Sequence, residues 1–341
     1  STRFDAHSFM PAGIKGDGTT GYVSSNLTPD GKPRDKAAIY EYNFQTKTFG
    51  ELVYEHDEID CCALIMNKKM RDMIGVAYMV GEPEQVYFDP TWKARMDAID
   101  RALPDTFNSF TSLDDAETIG IVAASNSTQP TKYYLFNFVK KTFKHLTDSR
   151  PWVDASKMAE MKPYSFEARD GRLLHGYLTI PNGSDGKNLP LVVNPHGGPW
   201  ARDGWGYNAE HQFLANRGYA VIQVNFRGST GFGMDHMQSS WKQWGQAMQN
   251  DVTDAVQWAI DQGVADADRV CIYGASYGGY ATMAGLTFTP ELYKCGINYV
   301  GVTDIPLLFT TAPDSWAAGK EQMKIMVGDP DTEEEFLEQW S

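Results

Sequence analysis

The first half of the sequence repeats itself, and this repeat limits the possible folds more than any other feature. The stretches AIYEYNFQTKTFGELVYEH, from Ala38, and YYLFNFVKKTFKHLTDS, from Tyr133, both read as an alternating strand, a polar turn and a second strand. Tyr40 matches Tyr134, an offset of 94 positions, and a weaker middle copy, VYFDPTW, begins at Val86. The repeat is therefore about 47 residues long, near the length of a four-stranded propeller blade.

A further strand recurs in front of each copy, as GYVSSN at Gly21, GVAYMV at Gly75 and GIVAAS at Gly120. A propeller blade is a small sheet that buries its faces only against neighbouring blades. We therefore predict that residues 1–150 form part of a β-propeller with about three blades. Closed propellers have about 4–8 blades, so we expect further blades before Ser1. The alternative is a meandering β-domain whose internal similarity is coincidental.

The pattern changes after the repeats. Residues 151–163 break the strand pattern and are interpreted as a linker. Over residues 164–341, short apolar runs alternate with helical stretches, which is typical of a mostly parallel sheet with helices on both faces. One of these stretches, DVTDAVQWAIDQG, is predicted to start its helix near Asp251, where a carboxylate suits the helix dipole. In such a fold the functional groups gather at the carboxyl ends of the strands.

Ser276 lies in the sequence GASYG, directly after an apolar strand and directly before a helical stretch. A G-x-S-x-G pattern between a strand and a helix is the setting of a nucleophile elbow, which exposes the serine hydroxyl at a sharp turn. The first turn of the following helix would direct N–H groups at developing negative charge. The alternative is a glycine-rich turn in which the serine only caps the helix.

A second glycine-rich loop, HGGP from His196, also follows a strand. In α/β-hydrolases this loop supplies an oxyanion donor in addition to the residue after the nucleophile. We therefore predict that the N–H groups of Gly198 and Tyr277 form the oxyanion hole, and that His196 organises the loop. The alternative for HGGP is a plain turn.

Four motifs occur in the order HGGP, NFRGSTGFG, DVTDAVQWAIDQG and YGASYGGYATM. With the β-repeats before them, they resemble the prolyl oligopeptidase family of serine peptidases, and most closely its acylaminoacyl-peptidase branch with the related dipeptidyl-peptidase-like enzymes. The resemblance implies an α/β-hydrolase preceded by part of a β-propeller. It also implies cleavage of short peptides near the N-terminus through an acyl-enzyme on Ser276. Arg227, in the second motif, is either structural or substrate-facing.

The resemblance also requires an aspartate and a histidine after the serine, but no histidine follows His236. We therefore expect that the triad aspartate and histidine are not in this chain, that the chain alone is inactive, and that it is a piece of a longer enzyme, with the hydrolase domain truncated at its C-terminal end. There are two alternatives within this chain. Asp304 could serve as the triad aspartate, or His211 or His236 could serve as the general base.

Composition excludes several classes of function. The formal net charge is -14, which argues against nucleic-acid binding, and no apolar run reaches the roughly 18 residues of a membrane span. The four cysteines have no zinc-site spacing and are interpreted as small buried hydrophobic residues. We expect no metal and no cofactor, and short peptides as the partners. The compartment, cytoplasmic or periplasmic, is left open, as are the oligomeric state and the choice between acylaminoacyl and dipeptidyl specificity.

Two other functions compete with the peptidase hypothesis. The first is an α/β-hydrolase esterase, against which the repeats argue, since simple esterases carry no propeller. The second is a non-catalytic binding module, which the missing aspartate and histidine favour. The joint presence of GASYG and HGGP argues for catalysis instead.

Overall fold

The computed structural model describes residues 9–69 and 71–341. The chain divides into two compact units. The first comprises the residues up to Met158 together with Trp205–Asn208 and Gly231–Met234, and the second comprises Ala159–Gly204, Ala209–Thr230 and Asp235–Ser341. None of the helices in the described residues is long and apolar enough to cross a membrane.

In the described residues of the first unit there are three antiparallel sheets, with four, three and four strands. In chain order the strands are β1 (Phe9–Ile14), β2 (Thr20–Leu27), β3 (Pro33–Asn43), β4 (Thr48–Tyr54), β5 (Ala63–Met66), β6 (Met73–Met79), β7 (Pro83–Tyr87), β8 (Phe107–Leu113), β9 (Ile119–Ser125), β10 (Lys132–Asn137) and β11 (Thr142–Asp148). One helix, α1 (Pro90–Ala102), lies between the second and third sheets in the chain. The strands that follow each other in the chain are neighbours in each sheet.

The two strong copies of the repeat have the same local structure. Asn43 pairs with Thr48 across the β3–β4 hairpin, and Asn137 pairs with Thr142 across the β10–β11 hairpin. Both asparagine side chains accept a hydrogen bond from the N–H three residues later, at 2.9 and 2.8 Å. The lysine before each threonine has a positive φ, 57° in the first copy and 52° in the second. The sequence repeat is thus a repeat of hairpin geometry.

The middle copy departs from the other two at Asp89. Its side chain accepts hydrogen bonds from the N–H groups of Thr91 and Trp92, and Pro90 begins helix α1. An N-capping aspartate followed by a proline at the first helical position is a strong helix start. A helix therefore takes the place of the turn and second strand found in the other two copies, which explains why the middle copy matches them poorly beyond Asp89.

The second unit is built on a six-stranded sheet with the order β12-β13-β15-β14-β16-β17. Its strands are β12 (Met161–Glu167), β13 (Leu173–Thr179), β14 (Leu189–Val193), β15 (Ala220–Asn225), β16 (Ala265–Ala275) and β17 (Cys295–Tyr299). The four strands from β15 to β17 in this order are parallel, whereas β12, β13 and β15 pair antiparallel. β12 begins at Met161, inside the segment interpreted as a linker.

Seven helices accompany this sheet, and helix α4 begins earlier than predicted. The helices are α2 (Ala209–Ala215), α3 (Met234–Gln238), α4 (Ala247–Asp261), α5 (Tyr277–Phe288), α6 (Ile305–Thr311), α7 (Ala317–Met326) and α8 (Glu334–Gln339). Asp251 is therefore inside α4 rather than near its start, and it is fully buried. The prediction that Asp251 stabilises the start of the helix dipole is wrong, and its carboxylate is instead paired with Arg227.

Two of the four cysteines, Cys271 and Cys295, are paired, which corrects their interpretation as small hydrophobic residues. Cys271 on β16 and Cys295 on β17 are direct register partners on neighbouring parallel strands, and they form a disulfide. The register brings their side chains to the same face of the sheet, a proximity that the sequence separation of 24 residues does not reveal. Cys61 is 4% exposed and packs in a hydrophobic core of the first unit, as predicted for it.

Candidate active site

Ser276 occupies the sharp turn between β16 and α5. Its backbone has φ 58° and ψ −119°, a region that costs free energy for any residue except glycine. The serine is exposed, while Tyr277 and Gly278 after it are buried. Its side chain makes no capping hydrogen bond to the helix. The alternative of a capping serine is therefore wrong, and the turn presents the hydroxyl to the outside.

The two glycines of the G-x-S-x-G pattern are required by close backbone contacts. A Cβ on Gly274 would overlap the carbonyl oxygen of Gly278, and a Cβ on Gly278 would overlap the carbonyl oxygen of Pro195. Because both obstacles are backbone atoms, no side-chain movement can relieve the overlap. The two glycines are thus needed because the turn is tightly closed and because the chain just before the HGGP loop packs closely on it.

Replacement of Gly278 by alanine should destabilise the protein by about 1–3 kcal/mol, because the new methyl group overpacks the contact with Pro195. Thermal unfolding of the full-length protein measures this effect. The matched control is Gly319→Ala on α7, where a Cβ meets nothing within 4 Å, and where alanine should stabilise by about 0.5–1 kcal/mol. If the two variants had equal melting temperatures, the expected overlap between a Cβ at position 278 and the carbonyl oxygen of Pro195 would be contradicted.

The HGGP loop lies against Ser276. A Cβ on Gly197 would be 3.0 Å from the carbonyl oxygen of Ala275 and 3.4 Å from Cβ of Ser276. Gly198 is exposed and has φ 132°, a conformation that favours glycine. Tyr277 is the first residue of α5, and the N–H groups of a first helical turn have no partner within the helix. The structure thus brings the predicted oxyanion loop next to the predicted nucleophile.

His196 is held by contacts within the loops rather than turned to the outside. Its Nδ1 lies 2.8 Å from the carbonyl oxygen of Gly197, and its Nε2 lies 2.9 Å from Oγ of Ser229. The ring stacks on Phe226 with a centroid distance of 4.3 Å. Burial lowers the pKa of His196 to about 4, so the imidazole is neutral at pH 7. Sequence reasoning missed Ser229, although it lies in the NFRGSTGFG motif.

Arg227 is 6% exposed, and its guanidinium faces two carboxylates. Its Nε and Nη2 lie 2.8 and 2.6 Å from the two carboxylate oxygens of Asp251, and Nη2 lies 2.9 Å from Oδ2 of Asp170. The N–H of Arg227 also donates to Asp251 at 2.8 Å. This fork ties the loop after β15 to helix α4 and to the β12–β13 turn.

The residues considered as substitutes for the missing triad members have contacts of their own. Nε2 of His211 lies 3.0 Å from Oδ1 of Asn194, and Nε2 of His236 lies 3.0 Å from the carbonyl oxygen of Phe226. Asp304 caps helix α6, since its carboxylate accepts the N–H of Leu307 at 2.8 Å. Each of these contacts supports the local fold, and none involves Ser276.

The sheet order, the parallel strands and the strained serine turn define the α/β-hydrolase fold. Residues 205–341 match the profile of the prolyl oligopeptidase family. This match confirms the resemblance to the prolyl oligopeptidase family seen in the motifs.

Known relatives and solved structures are similar to this chain over most of its length. The chain is 36% identical over 336 residues to dipeptidyl aminopeptidase BIII of Pseudoxanthomonas mexicana, covering 96% of this chain and 48% of that protein. Its fold matches a puromycin-hydrolyzing peptidase of Mycobacterium tuberculosis with a TM-score of 0.73 at 21% identity, over 97% of this chain and 51% of that one. An acylaminoacyl peptidase of Pyrococcus horikoshii matches with a TM-score of 0.67 at 24% identity, over 98% and 51%. The chain spans about half the length of the curated relatives it matches.

Proposed function

We propose that the protein is a serine peptidase that cleaves short peptides near their N-terminus, of the dipeptidyl- or acylaminoacyl-peptidase type. The observation that carries this proposal is the exposed Ser276 in a strained turn, with the Gly197–Gly198 loop packed against it. The names of the relatives, a dipeptidyl aminopeptidase and an acylaminoacyl peptidase, support the substrate class.

In the proposed reaction, Oγ of Ser276 forms a bond to the carbonyl carbon of the peptide as its proton passes to a general base. The carbonyl oxygen gains negative charge and is bound by the N–H groups of Gly198 and Tyr277. The C–N bond then breaks, the base returns the proton to the leaving amine, and water hydrolyses the acyl-enzyme. The base is the histidine that the family resemblance implies, so residues 1–341 alone are proposed to be inactive.

The neighbouring residues are assigned supporting roles. We propose that His196 organises the HGGP loop, because both ring nitrogens face groups of these loops. Arg227 is assigned a structural role, because its guanidinium is buried between Asp251 and Asp170. The three antiparallel sheets are proposed to be blades of a β-propeller, since two of them repeat the same hairpin geometry.

Fluorophosphonate labelling of the full-length protein tests the proposal. We expect one covalent adduct, and peptide mapping should place it on Ser276. Turnover of dipeptidyl anilides, N-acyl amino-acid anilides and short acyl esters should then favour one of the peptide substrates. Labelling without peptide cleavage, but with fast ester hydrolysis, would support the esterase alternative. Failure of both labelling and turnover would support the binding module.

A further inference from the structure

A groove of about 750 Å³ lies between helix α1 and the β10–β11 hairpin in the first unit. Binding sites for small molecules typically have volumes of roughly 300–1,000 Å³. The lining residues of α1 run from Thr91 to Ala102, which corresponds to about 16 Å along the helix axis at about 1.5 Å per residue. The groove therefore has room for an elongated small molecule that lies along α1.

Apolar side chains form much of the lining of this groove. Ile99 of α1 and Phe136 of β10 are buried and belong to the same core cluster. Val139 and Phe143 of the hairpin are 72% and 48% exposed, so apolar surface remains open to a ligand. Three small side chains of α1 also line the groove: Ala94, Ala98 and Ala102. Such a surface suits the apolar part of a ligand.

Three cationic side chains line the same groove: Arg95, Arg101 and Lys141. Neither aspartate nor glutamate occurs among the lining residues, all of which lie in the described part of the chain. None of the three cations has a carboxylate partner within residues 9–69 and 71–341, although the whole chain has 44 acidic and only 30 basic residues. Unpaired cations beside open apolar surface are the features expected of a site for an anionic ligand.

Arg95 is the best placed of these cations to bind an anion. Its guanidinium carbon lies over the ring of Trp92, 4.5 Å from the centroid, and over the ring of Phe138, 4.6 Å from the centroid. Contacts with aromatic rings hold a guanidinium in place without using its N–H groups as hydrogen-bond donors. A carboxylate can accept two parallel hydrogen bonds from such a group.

The pattern of charge also limits the class of ligand. A free dipeptide brings an ammonium group, for which the described lining offers no carboxylate. A neutral apolar molecule would leave the cations without a partner, and an inorganic anion would leave the apolar lining unused. A single carboxylate on an apolar chain uses both parts of the groove.

We propose that this groove is a binding site for an amphipathic carboxylate, with the carboxylate on Arg95 and the apolar chain lying along α1 over Ile99 and Phe136. Fatty acids and N-acylated amino acids share this chemistry. The site lies entirely in residues 91–143 and does not depend on the role proposed for Ser276. Its test therefore needs no enzymatic activity.

Calorimetric titration of the full-length protein with dodecanoate, below the concentration at which it forms micelles, tests this proposal. The variants are Arg95→Gln, which removes the charge, and Ala98→Phe, which fills the groove from an exposed position. The control is Lys93→Gln on the same helix, since Lys93 pairs with Asp97 and does not line the groove. Thermal unfolding without ligand shows whether each variant is folded.

We expect one dodecanoate per chain, a Kd about tenfold weaker in Arg95→Gln, no binding in Ala98→Phe and an unchanged Kd in Lys93→Gln. Dodecyltrimethylammonium, which has the same chain and the opposite charge, should bind at least about tenfold more weakly than dodecanoate.

Titration with N-acetyl-leucine distinguishes the two sources of the carboxylate. Tighter binding than dodecanoate, with the same dependence on Arg95, would identify an N-acylated amino acid as the ligand, and weaker binding a fatty acid. If wild-type protein did not bind dodecanoate, if folded Arg95→Gln bound it as tightly as wild type, or if the two detergents bound equally, the proposal would be overturned. None of these results bears on labelling or turnover at Ser276.

Discussion

Replacement of Ser276 by alanine should abolish peptide turnover by the full-length protein, with a loss in kcat of about 10⁶-fold, as expected when a serine nucleophile is removed. Only the nucleophile is lost, because the hydroxyl is exposed and makes no capping bond. The strained backbone stays occupied by a residue with a Cβ. Stability should therefore change by no more than about 0.5 kcal/mol. Initial rates with a peptide anilide and thermal unfolding measure the two effects.

The control for activity is Ser184→Ala, which removes the hydroxyl of another exposed serine in the second unit, one that donates to the carbonyl oxygen of Pro181 at 2.8 Å. Its turnover should equal that of the wild type. If Ser276→Ala kept more than about one per cent of the activity, another nucleophile would have to act, and the assignment would be wrong. If the variant unfolded at a clearly lower temperature, the hydroxyl would have a structural role that its contacts do not indicate.

The elbow could be predicted from the sequence because its chemistry is local. The strand before Ser276, the helix after it and the two glycines are contiguous, and the glycines follow from backbone overlaps within the turn and with Pro195. The repeat was predictable for the same reason, since one hairpin with an asparagine and a threonine at fixed positions recurs. In such short patterns, the residues that determine the backbone geometry are neighbours in the sequence.

Three of the misses arose where distant residues decide the structure. Asp251 was assigned to a helix start, but its partner, Arg227, lies 24 positions away and is brought to it only by the fold. The pairing of Cys271 with Cys295 depends on the register of two parallel strands. Ser229 gains its significance from His196, on a different loop. No local pattern encodes such contacts.

The last expected result concerns two arginine–aspartate pairs whose aspartates both lie on helix α4. Arg227 and Asp251 form a buried pair, with side chains 7% and 0% exposed. Arg169 contacts Asp254, three residues further along α4, through Nε and Nη2, which lie 2.9 and 2.6 Å from Oδ1, but the arginine side chain is 52% exposed. Loss of one partner of a buried pair leaves an unpaired charge and typically costs about 3–5 kcal/mol, whereas an exposed pair contributes about 0–1 kcal/mol.

Arg227→Met should therefore lower the free energy of unfolding by about 3 kcal/mol or more, and Arg169→Met by less than about 1 kcal/mol. The denaturation midpoints of the two variants measure the contrast. The double variant Arg227→Met with Asp251→Leu should recover much of the loss, because it removes the stranded carboxylate and replaces the pair by apolar side chains. A substrate-facing arginine would behave differently: Arg227→Met would raise KM and leave the midpoint unchanged. The buried fork to Asp251 and Asp170 argues for the first outcome, since Nε and Nη2 are already bound and the side chain is only 7% exposed.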